Sequence, residues 1–177
     1  MRDSKHLSKN FFFYRGLLLA LVFLCSFTLH HVRAQRVSIG LYDTCSIRQL
    51  SVRTLTEGYT LLLNGKLVEL EKEAEVRFSF QGRLLLCTQG GNEYAPCEHI
   101  ALFHADPNAQ FEVTLLRPEA EARTYDGNLS LFIDFGRIMC LNLVDQEAYI
   151  AGVALAEVGA KAKPELYKAQ ALLIRTY

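Results

Sequence analysis

The chain carries no excess of charge of either sign. Nineteen Lys and Arg balance nineteen Asp and Glu across 177 residues, which excludes nucleic-acid binding through a bulk basic surface. It also lacks an apolar run of the ~20 residues that span a bilayer comfortably. The nearest approach, Leu17 to Leu29 (LLLALVFLCSFTL), falls short of that length. Internal repeats and low-complexity segments are absent. Cys97, His99 and His104 stand as Cys-x-His-x4-His, a spacing that matches no standard zinc pattern.

What is present begins with an export signal. Arg2, Lys5, Lys9 and Arg15 make a basic start, the apolar run follows, and Val32-Arg33-Ala34 offers small or slim residues where a signal peptidase inspects. This order is that of a secretory signal peptide over residues 1–34, either cleaved or kept as a signal anchor. Leu24 before Cys25 does not supply the small residue that a lipid-attachment site needs. The remaining chain, 35–177, has the length of one domain or part of a larger one. Its expected location is the periplasm or the outer face of the cytoplasmic membrane. Four cysteines remain there, Cys45, Cys87, Cys97 and Cys140. They can pair in an oxidising compartment, Cys87 with Cys97 across a turn-rich loop, or stay as buried thiols.

From Val37 to Thr114 the pattern is strands and turns. Val37 to Leu41 alternates, Asn64-Gly65 is a hairpin signal between Leu61-Leu62-Leu63 and Leu67-Val68, and Val76 to Phe80 alternates before Gln81-Gly82 turns into Leu84 to Cys87. Glu69 to Glu75 (ELEKEAE) is a solvated charge run. After Leu143 the character changes. Asp145 can cap a helix with Ala148, Ala151 and Leu155 on its apolar side, Gly159 ends it, and Pro164 suits the first turn of a second helix that aligns Leu166, Leu173 and Tyr177. The fold class is therefore α+β: a β-rich N-terminal part, then a β-hairpin and a helix-loop-helix.

Glu157 is the candidate for chemistry. At a helix C-terminus the dipole disfavours an ionised carboxyl, and an apolar surround from Ala154, Leu155 and Val158 would act the same way. A carboxylic acid kept protonated is what protonates a leaving sugar oxygen.

Linked motifs give this residue a context. Tyr125-Asp126-Gly127-Asn128-Leu129 with Gly136, then Asn142 to Val153 (NLVDQEAYIAGV), Ala156-Glu157, and Lys168 to Tyr177 (KAQALLIRTY) occur in order. Together they resemble the SpoIID/LytB family, with no insertion or deletion between Glu157 and the last motif. The resemblance implies a peptidoglycan lytic transglycosylase that cuts glycan strands between N-acetylmuramic acid and N-acetylglucosamine. It places Glu157 as the catalytic acid/base, with Arg175, Tyr149, Gln170 and Lys168 in the substrate-binding motifs. It also implies the rest of the picture: peptidoglycan glycan strands as partner, no cofactor in this chain, and a domain incomplete at its C-terminus whose missing part carries a zinc site in some members. LytB-type members give the alternative, a non-catalytic wall-binding module that modulates a wall amidase. Val158-Gly159 departs from the Met-Pro that the family often carries after its glutamate.

Overall fold

A computed structural model of the chain describes residues 35–176. The signal-peptide reading of residues 1–34, and Tyr177 of the last motif, lie outside the described residues. Among the described residues twelve strands and two helices follow one another. The first six strands are β1 (Arg36–Leu41), β2 (Gln49–Thr54), β3 (Thr60–Leu63), β4 (Lys66–Glu69), β5 (Glu75–Gln81) and β6 (Leu84–Gln89). Next come β7 (Asn92–Glu93), β8 (His99–Phe103), β9 (Gln110–Arg117), β10 (Arg123–Asp126), β11 (Asn128–Asp134) and β12 (Arg137–Asp145), then α1 (Gln146–Val158) and α2 (Pro164–Thr176). The architecture is strand-rich with two C-terminal helices, within the α+β class.

Tight turns set the local register. Asn64 and Gly65 both hold positive φ (48° and 78°) between β3 and β4, the two-residue geometry that follows the twist of a hairpin. Gln81 pairs with Leu84 around Gly82, which has φ 63°. Long-range pairing then builds two antiparallel sheets, β1-β12-β11-β8-β3-β4 and β10-β9-β2-β5-β6-β7. β11 and β12 do not stand apart from the N-terminal strands. They lie in the middle of the first sheet, with β1 against β12 and β8 against β11.

The sheets face each other across one core. β12 buries every second residue, and β9 does the same through Phe111, Val113 and Leu115. Leu61, Ile100 and Leu131 from the first sheet meet Val52, Val76 and Phe78 from the second around a void of only about 10 Å³. Each such fully buried side chain contributes about 1.5–3 kcal/mol, and the near absence of free volume keeps that gain undiminished. Thr54, a buried polar residue, is satisfied by Glu71 O at 2.7 Å and Ala74 N at 3.2 Å. These bonds tie the charged 70–74 loop to β2.

The four cysteines are free thiols. Burial pushes Cys87 and Cys140 up to about 12 and also raises Cys97. The residues that invited a zinc reading do not converge. Cys97 donates to Ala95 O, His99 bonds Ser130 Oγ at 2.7 Å, and His104 is held by Glu57 O and Asp106 N.

The helices also differ in detail from the sequence pattern. Asp145 caps α1 by accepting from Glu147 N and Ala148 N, and Gly159 closes it with φ 76°. The buried face of α1 is Ile150 and Ala154, whereas Ala151 and Leu155 are exposed. The apolar stripe is thus rotated from the expected one, because α1 continues directly from β12 and that strand fixes its rotation about its own axis. No residue of α2 is fully buried, and Leu166 and Leu173 are about half exposed (49 % and 53 %). Among the described residues no helix is long and apolar enough to cross a membrane.

Candidate functional site

The site starts with Asn142. Its side chain is buried and donates to Asp126 O at 2.8 Å and Asn128 O at 3.0 Å, holding the β10–β11 turn against β12. Gly127 lies at the centre of that turn with φ 84°, where a Cβ would stand 2.5 Å from Leu143 O. Tyr59 donates its hydroxyl to Gly127 O at 2.8 Å. Tyr125 packs beside Phe111 and Tyr42. The motif residues Tyr125, Gly127 and Asn142 are therefore scaffold: they fix the last part of β12, from which α1 continues directly at Gln146.

An open groove of about 610 Å³ lies between β1 and the two helices. Its apolar part comes from Val37 and Ile39 of β1 with Ile150, Leu173 and Ile174, and its polar part from Gln146, Tyr149, Glu157, Gln170 and Arg175. The volume is in the range of ligand sites, and a mostly apolar wall with a few polar groups is their usual make-up. Four of the five residues singled out by sequence thus share one groove. Lys168 is exposed on α2 and is not part of the lining.

Within the groove the polar groups are paired. The Gln170 amide donates to Glu157 Oε2. Arg175 is bound to the Glu147 carboxylate by a charge-assisted hydrogen bond. Glu147 and Glu157 are ten residues apart on α1, about 15 Å along the axis, so Arg175 is anchored at the opposite end of the groove from Glu157. The apolar surround expected for Glu157 is not there. Glu157 is exposed, Leu155 is 50 % exposed, and Ala154 turns into the core, because Glu157 sits on the solvent rim of the last turn. Tyr167 donates its hydroxyl to Gly159 O, clasping the interhelical loop.

Sequence reasoning did not find Val37 and Ile39 as groove wall, nor Glu147 as the partner of Arg175. Glu147 occurs in the quoted motif, but only the antiparallel return of α2 brings residues 147 and 175 together. Among the described residues no group of three or more His, Cys, Asp or Glu is placed to hold a metal ion.

Residues 135–177 match the model of the SpoIID family, stage II sporulation protein. The match covers the β11–β12 turn, β12 and both helices, which include the whole polar part of the groove. No curated protein and no solved structure matches the chain.

Proposed function

We propose that the chain contributes to cleavage of peptidoglycan glycan strands outside the cytoplasmic membrane, by a lytic transglycosylase reaction with Glu157 as the acid/base. The observation that carries this reading is the Glu157–Gln170 pair at the rim of an open groove, inside the segment similar to SpoIID. The Gln170 amide occupies Oε2 and so leaves Oε1 free to carry the reactive proton. In the first step that proton passes to the glycosidic oxygen between N-acetylmuramic acid and N-acetylglucosamine as the C1–O bond breaks. The carboxylate then takes the proton of the C6 hydroxyl on the same muramic sugar while that oxygen bonds to C1. A 1,6-anhydro ring forms, the glutamic acid is regenerated, and no water is consumed. One carboxyl suffices, unlike hydrolysis with paired carboxylates.

An open groove suits a polymer that must lie across the site. Tyr149 lines it beside the apolar wall, and Arg175, fixed by Glu147, presents guanidinium N–H groups to sugar oxygens. Lys168 has no role in this scheme.

The second reading, a non-catalytic wall-binding module acting on an amidase, draws support from Arg175 being anchored away from Glu157. Incubation of the protein with peptide-stripped peptidoglycan separates the two. Soluble glycan release that is lost in Glu157→Gln, with binding retained, supports the transglycosylase. Binding without release in the unaltered protein supports the module and removes Glu157 from a catalytic role.

A further inference from the structure

The two sheets present opposite surfaces to solvent. On β2 and β5 of the second sheet the outward residues are polar: Arg53 stands between Glu75 and Glu112, Arg77 beside Ser51, and Arg53 pairs with Glu112 and Glu73. This is the usual alternation of an antiparallel sheet with one wet face. The first sheet breaks that rule. One row across all six strands reads Gly40, Leu141, Ser130, Ala101, Leu62, Leu67. Phe132 and Met139 pair on the next row, and Leu143 and Phe103 lie on the other side. None of these apolar side chains packs against the core, and Leu67 is 61 % exposed.

The polar groups on this face are already satisfied or lie at its rim. His99 Nε2 and Ser130 Oγ bond each other at 2.7 Å, and Asn128 Oδ1 accepts from His104 N. Burial of this face therefore strands few unpaired polar groups. Charge on this face lies around the apolar rows: Arg36 on β1 beside Asp145, Glu69 on β4, the Asp134–Arg137 pair beyond Phe132 and Met139, and the Asp43 carboxylate over Gly40.

We propose that this face is the interface of a symmetric dimer, occupied by the same face of a second copy of the chain. Six strands about 4.8 Å apart and three rows about 7 Å apart give a footprint of roughly 500 Å². Side-chain relief carries the accessible area toward the ~800 Å² per partner of a standard interface. A two-fold axis along the strands, between β11 and β8, makes the face complementary to itself. It sets Leu141 of one copy over Leu62 of the other and Ser130 over Ala101. It also brings the β1 edge over the β4 edge, with Arg36 about two residues, roughly 7 Å, from Glu69 of the second copy. Sheets packed in this way lie about 10 Å apart with interdigitating side chains.

Sedimentation velocity on the full chain, from about 1 to 100 µM, is the test. The expected result is a monomer–dimer equilibrium that Leu67→Lys weakens at least about tenfold, because it sets a charge into the apolar contact. Leu67 is exposed, so this variant keeps its fold, which circular dichroism checks. Thr114→Lys, on the polar face of the second sheet, leaves the equilibrium unchanged. Glu69→Arg weakens association and the double variant Arg36→Glu/Glu69→Arg restores it, which reads the orientation as well as the face. A monomer at every concentration overturns the proposal and leaves the face to a different protein. So does a dimer indifferent to Leu67→Lys.

Discussion

Asn142→Ala removes one small side chain, yet its consequence is large because of where that side chain points. Asn142 is 6 % exposed, and its amide nitrogen bridges the carbonyls of Asp126 and Asn128 on either side of Gly127. Truncation leaves two inward carbonyls without that donor and opens a small cavity. Leaving one buried polar group unpaired costs about 1–3 kcal/mol. Water can reach part of the turn, so the expected loss is about 2–3 kcal/mol. For a domain of this size that corresponds to a fall in Tm of roughly 5–10 °C. The assay is thermal and urea unfolding followed by circular dichroism, with Asn142→Leu as the companion: it fills the space but cannot donate, so it stays close to the alanine variant. Well below its Tm the alanine variant is expected to release glycan as the parent does, because Asn142 stands behind Ile39 and is not part of the groove lining. A stability change under about 0.5 kcal/mol, or a loss of activity at full stability, would refute the scaffold assignment.

Further outcomes follow from the same geometry. Gly127→Ala is more damaging than Asn142→Ala, since the new Cβ meets the Leu143 carbonyl at 2.5 Å with φ at 84°; poor recovery of folded protein checks it. Glu147→Gln releases Arg175 from an exposed ion pair, so stability moves by less than about 1 kcal/mol while glycan binding weakens several-fold in a pull-down titration. Asp145→Ala removes the cap of α1 and costs about 1 kcal/mol, read by urea unfolding. The Cys87 and Cys140 thiols, raised by burial to about 12 from 9.0, remain neutral in the folded protein while they ionise first in the unfolded chain. Stability therefore falls as pH rises from about 9 toward 12, and neither thiol is alkylated at pH 8 until the protein is unfolded.

What was legible in the sequence was local. Asn64-Gly65 announces its hairpin because two adjacent positive-φ positions favour those residues. Asp145 and Gly159 mark the ends of α1 through capping chemistry that acts within one turn. The pairing of Arg36 with Asp145, 109 positions apart, leaves no local trace, so β11 and β12 read as a hairpin following the N-terminal strands when they share a sheet with them. The rotation of α1 was misjudged for the same reason: alanines satisfy several helical faces equally, and only the packing of Ile150 beside Val37 and Ile39 selects one. In the site, Glu157, Tyr149, Gln170 and Arg175 could be named from motif order, but the pairs Glu157–Gln170 and Arg175–Glu147 depend on how α2 folds back on α1. The exposure of Glu157 was hidden because its apolar sequence neighbours turn to other sides of the helix.

The most direct test of the central claim is mass spectrometry of the products released from peptide-stripped peptidoglycan in water enriched in oxygen-18. The account predicts muropeptide-free glycan fragments ending in 1,6-anhydro-muramic acid, without the heavy isotope, and their disappearance with Glu157→Gln. Reducing ends carrying oxygen-18, or anhydro ends that persist in Glu157→Gln, would contradict it.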